Sequence, residues 1–471
     1  MAPGVRFILD GKVRELDGVD PTLTVLDWLR GAERRCGSKE GCREGDCGAC
    51  TVVLAELHRG ELRYRAVNAC ILFVPTLDGK ALLTVESLSA PGEALHPVQT
   101  AMVDCHASQC GFCTPGFVMS LLALYESEPA PSRDRVNEVL AGNLCRCTGY
   151  RPIVEAAGRA YQDGGGPRLA AQQGALSAQL RAIARTETLA VEHAGRRLLA
   201  PRTADALAGL LLEMPGAHLL AGGTDVGLWV TKQHRDLESI VYLGAVEELS
   251  EVVRTETHVE IGAAATYTDA LAVLSGPLPA LAALVRRIGS QQIRNTGTLV
   301  GNVANASPIG DTMPALLALG ASAVLRRGAA RREIPLDEFF VGYRKTALQP
   351  GEFIERVRVP LPPAGLRFAT YKVAKRFDQD ISAVCGAFAV AVEGGSVREA
   401  RLAYGGMAAI PKRAVACEAA LLGKPWTEET VASVLPLLDG EFQPLSDMRA
   451  SAAYRTLVAR NLLRKFQAEA P

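Results

Sequence analysis

Neither sign of charge predominates in this chain of 471 residues: 51 lysines and arginines balance 51 aspartates and glutamates. Proteins that grip nucleic acid or an anionic membrane carry a basic excess or a basic stripe, so neither partner is expected. Also missing is any apolar run near the ~18 residues of a spanning helix. The opening stretch from Met1 is broken by Asp10 and Lys12 before a secretory h-region could form, and the expected location is the cytoplasm. Two nucleotide-binding signatures are absent as well. No G-x-G-x-x-G stands at a strand–helix junction and no G-x-x-x-x-G-K-[ST] loop occurs, so neither a Rossmann nor a P-loop site is supported. A chain of this length exceeds one core, and two to four domains are expected.

What the chain has is 12 cysteines. In a cytosolic protein, clustered cysteines are more often metal ligands than disulfides. Eight of them form two groups. Cys42, Cys47 and Cys50, with Cys70 further on, follow the C-x4-C-x2-C…C spacing of a plant-type [2Fe–2S] site. Gly41, Gly45 and Gly48 interleave that run, which lets the loop wrap closely and aim its N–H dipoles at thiolate charge. Zinc is the competing reading of a C-x2-C pair. The second group joins Cys110-x2-Cys113 to Cys145-x-Cys147. Each half alone could be a redox dithiol or half a zinc site; together they converge on one metal, expected to lie buried between helices. Cys36 stands outside the first pattern as a spare thiol. Cys105, Cys385 and Cys417 lie in apolar runs and read as core thiols. The histidines are scattered, and none is assigned to metal.

Short β-like runs and one helix-like stretch, Leu23–Arg30, make residues 1–88 a small α+β domain. Residues 89–162 read as a four-helix domain: Pro97, Pro115 and Pro152 suit helix N1 positions, Ser132 an N-cap, and Gly142 a C′ stop. Phe117, Val118, Leu121, Leu122 and Tyr125 fall on one side of the second helix. The two cysteine pairs then sit in the two helix connections. Residues 163–184 read as a flexible linker. Strands and helices alternate through residues 185–362, an α/β domain. From residue 363 to 471 an antiparallel sheet with a Glu393-Gly-Gly-Ser396 turn is followed by helices. Arg326, Arg327, Arg331 and Arg332 read as a solvated hairpin.

The α/β region holds two polar loops. One is Gly222-Gly-Thr-Asp225 after a strand, where backbone N–H groups and the Thr224 hydroxyl could meet a pyrophosphate; a tight structural turn is the alternative. The other gathers Asn302, Asn305, Ser307 and Asp311, and Asp311 could equally cap the helix that starts near Thr312.

Several long motifs resemble one family. Gly41-Cys-Arg-Glu-Gly-Asp-Cys-Gly-Ala-Cys-Thr51, Gln109-Cys-Gly-Phe-Cys-Thr-Pro-Gly116, Gly142-Asn-Leu-Cys-Arg-Cys-Thr-Gly-Tyr-Arg-Pro152 and Arg294-Asn-Thr-Gly-Thr-Leu-Val-Gly-Asn302 are similar to those of the molybdenum hydroxylases. Their order is similar to that of the small iron–sulfur/FAD subunit of bacterial xanthine dehydrogenases. The resemblance implies a multidomain α+β architecture: a ferredoxin-like β-grasp [2Fe–2S] domain, a helical [2Fe–2S] domain, and an α/β FAD-binding domain with a C-terminal sheet-and-helix subdomain. It implies FAD held by Leu219, Leu220, Ala221, Gly222, Gly223, Thr224, Asp225 and Val226 and by Thr298, Leu299, Val300, Gly301, Asn302 and Asn305. Asp311 would serve the adenosine side, Ile354 would touch the cofactor through its backbone, Lys372 would lie near the flavin ring, and Ile288 would stand where relatives often place an aromatic. The acceptor would be NAD+, approached by the loop Ala374–Asp380. The implied partner is a large molybdopterin-binding subunit, two of each chain forming a heterotetramer. The implied role is electron transfer in oxidation of hypoxanthine and xanthine to urate, with no catalytic acid or base in this chain. An aldehyde or aromatic hydroxylase of the same superfamily would share every motif, and an iron–sulfur/flavin redox sensor is a third reading.

Overall fold

The computed structural model describes residues 4–89, 92–162 and 170–469. They divide into two compact units: Met1–Leu207 with Ala217–Val246 and Gly289–Gly297, and Ala208–Gly216 with Glu247–Ile288 and Thr298–Pro471. Both units draw on the stretch 185–362. Among the described residues no helix is long and apolar enough to cross a membrane.

The first unit opens with a five-stranded sheet in the order Lys12–Leu16, Val5–Leu9, Ala81–Leu83, Thr51–His58, Glu61–Asn68. Val5–Leu9 pairs in parallel with Ala81–Leu83, and the other neighbours are antiparallel. The helix Val25–Gly31 starts at Thr24, whose hydroxyl accepts the Asp27 N–H, and packs Trp28 edge-on against Phe7 at 5.2 Å. Phe7 and Leu26 belong to a core that runs on through Leu189, Leu198 and Ile240. Those last three come from a second sheet, ordered Leu189–His193, Arg196–Ala200, Ser239–Tyr242, His218–Leu220. One shared core explains why residues 185–207 and 217–246 fold with the first unit. Each large apolar side chain so buried contributes about 1.5–3 kcal/mol.

Four helices follow the first sheet: Pro97–Asp104, Thr114–Ser127, Arg133–Leu140 and Arg151–Arg159. Ser132 caps the third through the Arg135 N–H, as its position suggests. Thr114–Ser127 is buried on two faces rather than one. Phe117, Val118, Leu121 and Tyr125 meet Val98, Val136 and Ile153 of the neighbouring helices, whereas Met119, Leu122 and Ala123 turn to Ile8 and Val53 of the sheet. Leu122 was thus expected on the wrong side, because a helix that is apolar all round has no unique stripe.

The expected linker is also corrected. Asp163 to Leu169 lie outside the described residues, but Ala170–Ile183 is a helix. Leu176, Leu180 and Ile183, spaced at i, i+4 and i+7, pack beside Ile8 and Val53. Arg185 then buries its guanidinium against Asp78 at 3.2 Å and the Gly4 carbonyl at 2.8 Å. The helical spacing was present in the sequence, masked by its alanine- and glutamine-rich surroundings.

In the second unit a five-stranded sheet runs Val252–Arg254, His258–Gly262, Phe353–Pro360, Ser322–Arg327, Ala330–Pro335. The arginine hairpin is there, turning between Arg327 and Ala330, but it is not simply solvated. Arg326 is buried and donates to Glu355 at 3.1 Å, and Arg331 grips the same carboxylate at 2.7 Å. A four-stranded antiparallel sheet, Leu366–Val373, Val384–Glu393, Ser396–Gly405 and Lys412–Arg413, turns at Glu393/Ser396 as expected. The final helix, Ala452–Glu469, covers it through Leu462, Leu463 and Phe466. Cys385 and Cys417 are buried core thiols, Cys105 is half-buried and Cys36 exposed.

Candidate metal centres and cofactor loops

The loop from Gly41 to Cys50 winds through three left-handed residues, Arg43, Gly45 and Gly48. That winding turns the amides of Glu44, Asp46 and Cys47 onto Cys42 Sγ at 3.5, 3.3 and 3.3 Å, and the Cys42 amide onto Cys47 Sγ at 3.3 Å. Asn68 Nδ2 points at Cys50 Sγ from 3.8 Å. At Gly41 a Cβ would come within 2.7 Å of Cys47 Sγ, so a side chain there would intrude on the sulfurs. Cys42 lies within hydrogen-bond reach of Cys47 and Cys70, and Cys50 of Cys70. Bonds from its thiol neighbours hold Cys42 far below the usual thiol range, and the Cys70 bond lowers Cys50. The same contacts push Cys47 and Cys70 up. Four sulfurs within reach of one another, three of them met by N–H donors, fit a [2Fe–2S] core.

Cys110 pairs with Cys147 and Cys113 with Cys145. The Phe112 amide lowers Cys110; burial, helped by the Cys145 contact, pushes Cys113 up to about 12. The pairs meet as expected, but not in the expected place. Cys110 and Cys147 are exposed and the other two half-buried, because both connections lie at the ends of the helices rather than among them. Phe112, Leu144 and Tyr150 beside them are 47%, 41% and 40% exposed.

The two cysteine loops touch. The Leu144 amide donates to the Cys47 carbonyl at 2.9 Å, and Asn143 Nδ2 to the Gly48 carbonyl at 3.1 Å. Buried Asn143 also accepts from Ser120 at 2.7 Å and from Gln292 Nε2 at 2.9 Å. Gln292 belongs to the segment Gly289–Gly297, of which only the motif from Arg294 onward stood out in the sequence. Its short helix Gln291–Arg294 is capped by Ser290. Gln292 Nε2 further reaches Thr51 and Ser120, Arg294 pairs with Glu138 at 3.0 Å, and Asn295 donates to the Ala66 carbonyl at 2.9 Å. The signal available was a run of amide side chains, Gln291, Gln292 and Asn295, between apolar stretches.

The same segment abuts the glycine turn. After the strand His218–Leu220, residues Ala221–Asp225 lead into the short helix Val226–Thr231. A Cβ at Gly222 would come within 1.8 Å of the Thr296 carbonyl, and Gly223 is left-handed. At Gly227 a Cβ would meet the carbonyl of Ile71, next to Cys70, at 2.7 Å. Leu220 and Val226 are buried and Leu219 and Thr224 half-buried, while Asp225 is exposed and makes no cap bond.

In the second unit Thr298 caps Leu299–Asn305 through the Gly301 N–H at 3.0 Å, and Asn302 accepts from Thr312 at 2.6 Å. Leu299 and Val300 are buried, Asn305 half-buried at the helix end. Asp311 occupies the N-cap position of Thr312–Leu319 but makes no capping bond. Its carboxylate instead takes Lys372 Nζ at 2.5 Å and Ser382 Oγ at 2.5 Å, and Lys372 also donates to Ser382 at 3.0 Å. The two residues assigned to opposite ends of the cofactor are thus one buried ion pair, since neither charge could be left alone at that depth. Ile354 is buried in its strand opposite Leu325, and Ile288 is half-buried. In the loop Ala374–Asp380, Arg376 pairs with Asp380 at 3.4 Å, while exposed Phe377 stacks under Arg287 at 4.3 Å.

Known domain families match the segments that carry these residues. Residues 7–75 match a 2Fe-2S iron-sulfur cluster binding domain and residues 84–158 a [2Fe-2S] binding domain. Residues 192–362 match the FAD binding domain in molybdopterin dehydrogenase, and 369–470 the CO dehydrogenase flavoprotein C-terminal domain. A chain of carbon monoxide dehydrogenase from Hydrogenophaga pseudoflava is 30% identical, with 93% of it and 56% of this chain covered at a TM-score of 0.54. The chain belongs to the molybdenum hydroxylase family. By these domains it binds two [2Fe–2S] clusters and FAD. Quinoline 2-oxidoreductase from Pseudomonas putida 86 is similar too, 26% identical over 57% of this chain and 95% of that one, TM-score 0.53. Among curated relatives, xanthine dehydrogenase of Emericella nidulans is 33% identical over 93% of this chain, and xanthine dehydrogenase/oxidase of Gallus gallus 32% over 93%. This chain spans 36% and 38% of their lengths.

Proposed function

We propose that this chain is the electron-exit component of a xanthine dehydrogenase, accepting electrons from a molybdopterin-bearing partner subunit and delivering them to NAD+ in the cytoplasm. In this reading Cys110, Cys113, Cys145 and Cys147 hold the entry cluster and Cys42, Cys47, Cys50 and Cys70 the second. The glycine turn 219–226, residues 298–302 and 305, Ile288, Ile354 and the Asp311–Lys372 pair serve FAD. Bound together, these groups supply the conversion between one-electron and two-electron chemistry.

The observation that carries the reading is the order of contacts. The cysteine pairs at the surface, collared by Phe112, Leu144 and Tyr150, are open to a partner. Leu144 and Asn143 join that loop to Cys47 and Gly48. On the far side Ile71, next to Cys70, rests on the glycine turn. The chain's own residues therefore do positioning: they exclude water, aim amides at sulfur and keep the holding sites adjacent. No side chain is asked to move a proton to or from substrate. The likeness to the xanthine dehydrogenases supports purine oxidation, and the heterotetramer of two small and two large chains and NAD+ are part of the same proposal.

Anaerobic titration of the purified complex with xanthine, followed by visible absorbance and EPR, tests this. Two distinct [2Fe–2S] signals and flavin reduced by xanthine and reoxidised by NAD+ are expected. Reduction by NADH but not xanthine would retain the relay and move the substrate to another class, such as an aldehyde or an aromatic heterocycle. Cys113→Ser should abolish substrate-driven NAD+ reduction and leave NADH-to-dye activity largely intact. Loss of both with FAD still bound would overturn the order.

A further inference from the structure

The loop after Cys147 closes on Cys145 through a ring of hydrogen bonds. The Cys145 amide donates to the Tyr150 hydroxyl at 3.0 Å. The Tyr150 amide donates to Thr148 Oγ1 at 3.1 Å. Thr148 Oγ1 lies 3.2 Å from Cys145 Sγ. The direction of that last bond follows from the chemistry of the site. A metal-ligating cysteine is a thiolate, which can only accept. With a Thr148 lone pair already taken by the Tyr150 N–H, its hydroxyl proton is directed at the sulfur.

Backbone strain holds this arrangement. Gly149 and Tyr150 are successive left-handed residues, at φ 67° and 69°. Glycine takes that conformation freely, tyrosine does not. Strain kept at a site is a reason to ask what it positions. Tyr150 is pinned from three sides: its carbonyl accepts the Ile153 and Val154 amides, its ring sits edge-on to Phe117 at 6.4 Å, and its hydroxyl holds the Cys145 amide.

We propose that Thr148 tunes the surface cluster, its hydroxyl donating to the Cys145 thiolate and raising the reduction potential of the group held there. Reduction adds negative charge that is shared by the sulfurs, so a donor dipole aimed at one of them stabilises the reduced form more than the oxidised form. The effect falls on the centre that is open to the partner, where it favours acceptance of the incoming electron. Tyr150 is a positioning residue, acting through Thr148. The inference rests on the reading that Cys110, Cys113, Cys145 and Cys147 hold a [2Fe–2S] cluster.

The test is an EPR-monitored redox titration of the holo complex carrying Thr148→Val or Thr148→Ser, with Cys145→Ser as a separate control on the ligand set. Thr148→Val should lower the midpoint of one cluster signal, with its spin count retained. The expected size is about tenfold in the ratio of reduced to oxidised cluster at fixed poise, or about 59 mV for one electron. Thr148→Ser should restore the wild-type midpoint. If Thr148→Val loads its cluster at an unchanged midpoint, the tuning role is overturned. If Thr148→Val fails to load while Thr148→Ser loads at the wild-type midpoint, the hydroxyl serves assembly of the site rather than its potential, and the tuning role is overturned. Failure of both to load would overturn the role, because the hydroxyl present in serine would not be the determinant. Two full cluster signals in Cys145→Ser would refute the ligand reading itself, independently of Thr148.

Discussion

Gly142→Ala is a one-methyl change that the packing forbids. Gly142 has no left-handed φ, so alanine suits its backbone, and the cost is steric. A Cβ there would stand 2.1 Å from Gln292 Oε1 and 2.5 Å from Ser290 Cβ. Gln292 has no room to yield, being fully buried with Nε2 committed to Asn143, Ser120 and Thr51. Overpacking of this kind costs about 1–3 kcal/mol, and each hydrogen bond the amide gives up adds about 1 kcal/mol. A loss of about 2–5 kcal/mol is expected. It should be felt first at the bond between the Leu144 amide and the Cys47 carbonyl, one peptide away. About 2 kcal/mol of local destabilisation speeds amide exchange roughly thirtyfold, so hydrogen exchange at Leu144 is the assay. Gln292→Ala removes the same bonds by another route, and the double variant should cost at least about 1 kcal/mol less than the sum of the singles. Wild-type exchange at Leu144 in Gly142→Ala, or strict additivity, would refute the packing argument.

Three further expectations concern other parts of the chain. Burial alone would raise the Glu260 carboxyl, but Arg356 at 2.7 Å, Arg358 at 2.8 Å and His258 at 3.2 Å hold it at about 2. A depressed carboxylate stabilises the fold fully above its ordinary range and loses that contribution as pH falls towards the folded value. Glu260→Gln should therefore cost about 2 kcal/mol near pH 7, with the difference shrinking between about pH 5 and pH 2 in denaturant titrations. Asp311→Asn would leave Lys372 buried without its anion, at about 3–5 kcal/mol, and should lower flavin content. Adding Lys372→Met should restore stability but not flavin, and full flavin retention in either variant would remove the pair from the cofactor site. Gly222→Ala, whose Cβ would sit 1.8 Å from the Thr296 carbonyl, must open the glycine turn. Flavin per iron should fall with iron content unchanged, and an unchanged ratio would show that the turn does not hold the cofactor.

Local chemistry made some of this protein legible in its residues. Cysteine spacing and interleaved glycines mark a wrapped cluster loop because ligand reach and left-handed turns are short-range properties, confined to a dozen residues. The helix start at Pro97 and the N-cap at Ser132 were likewise readable from capping and N1 preferences, whereas Pro115 and Pro152 fall one residue inside helices that open at Thr114 and Arg151. The N-cap position of Asp311 was readable too, yet its carboxylate went elsewhere. A surface cap bond is worth about 1 kcal/mol, whereas leaving Lys372 uncompensated would cost several times that. Lys372 stands 61 residues away in the chain, and no local pattern announces such a partner.

The residues by themselves determined that the chain carries two thiolate-rich sites and a glycine turn, since each is marked by short runs, Cys42–Cys50, Cys110–Cys113, Cys145–Cys147 and Gly222–Asp225, whose members lie close together in sequence. Tertiary structure decided the rest. It set the second site at the surface rather than between helices, and folded the supposed linker as a helix. It also brought Gly289–Gly297 between the cysteine loops and the glycine turn, with Gln292 bonded to Asn143 and Thr51 at 149 and 241 residues' distance along the chain. Which buried donor meets which acceptor depends on how cores pack, and packing is a property of the whole chain.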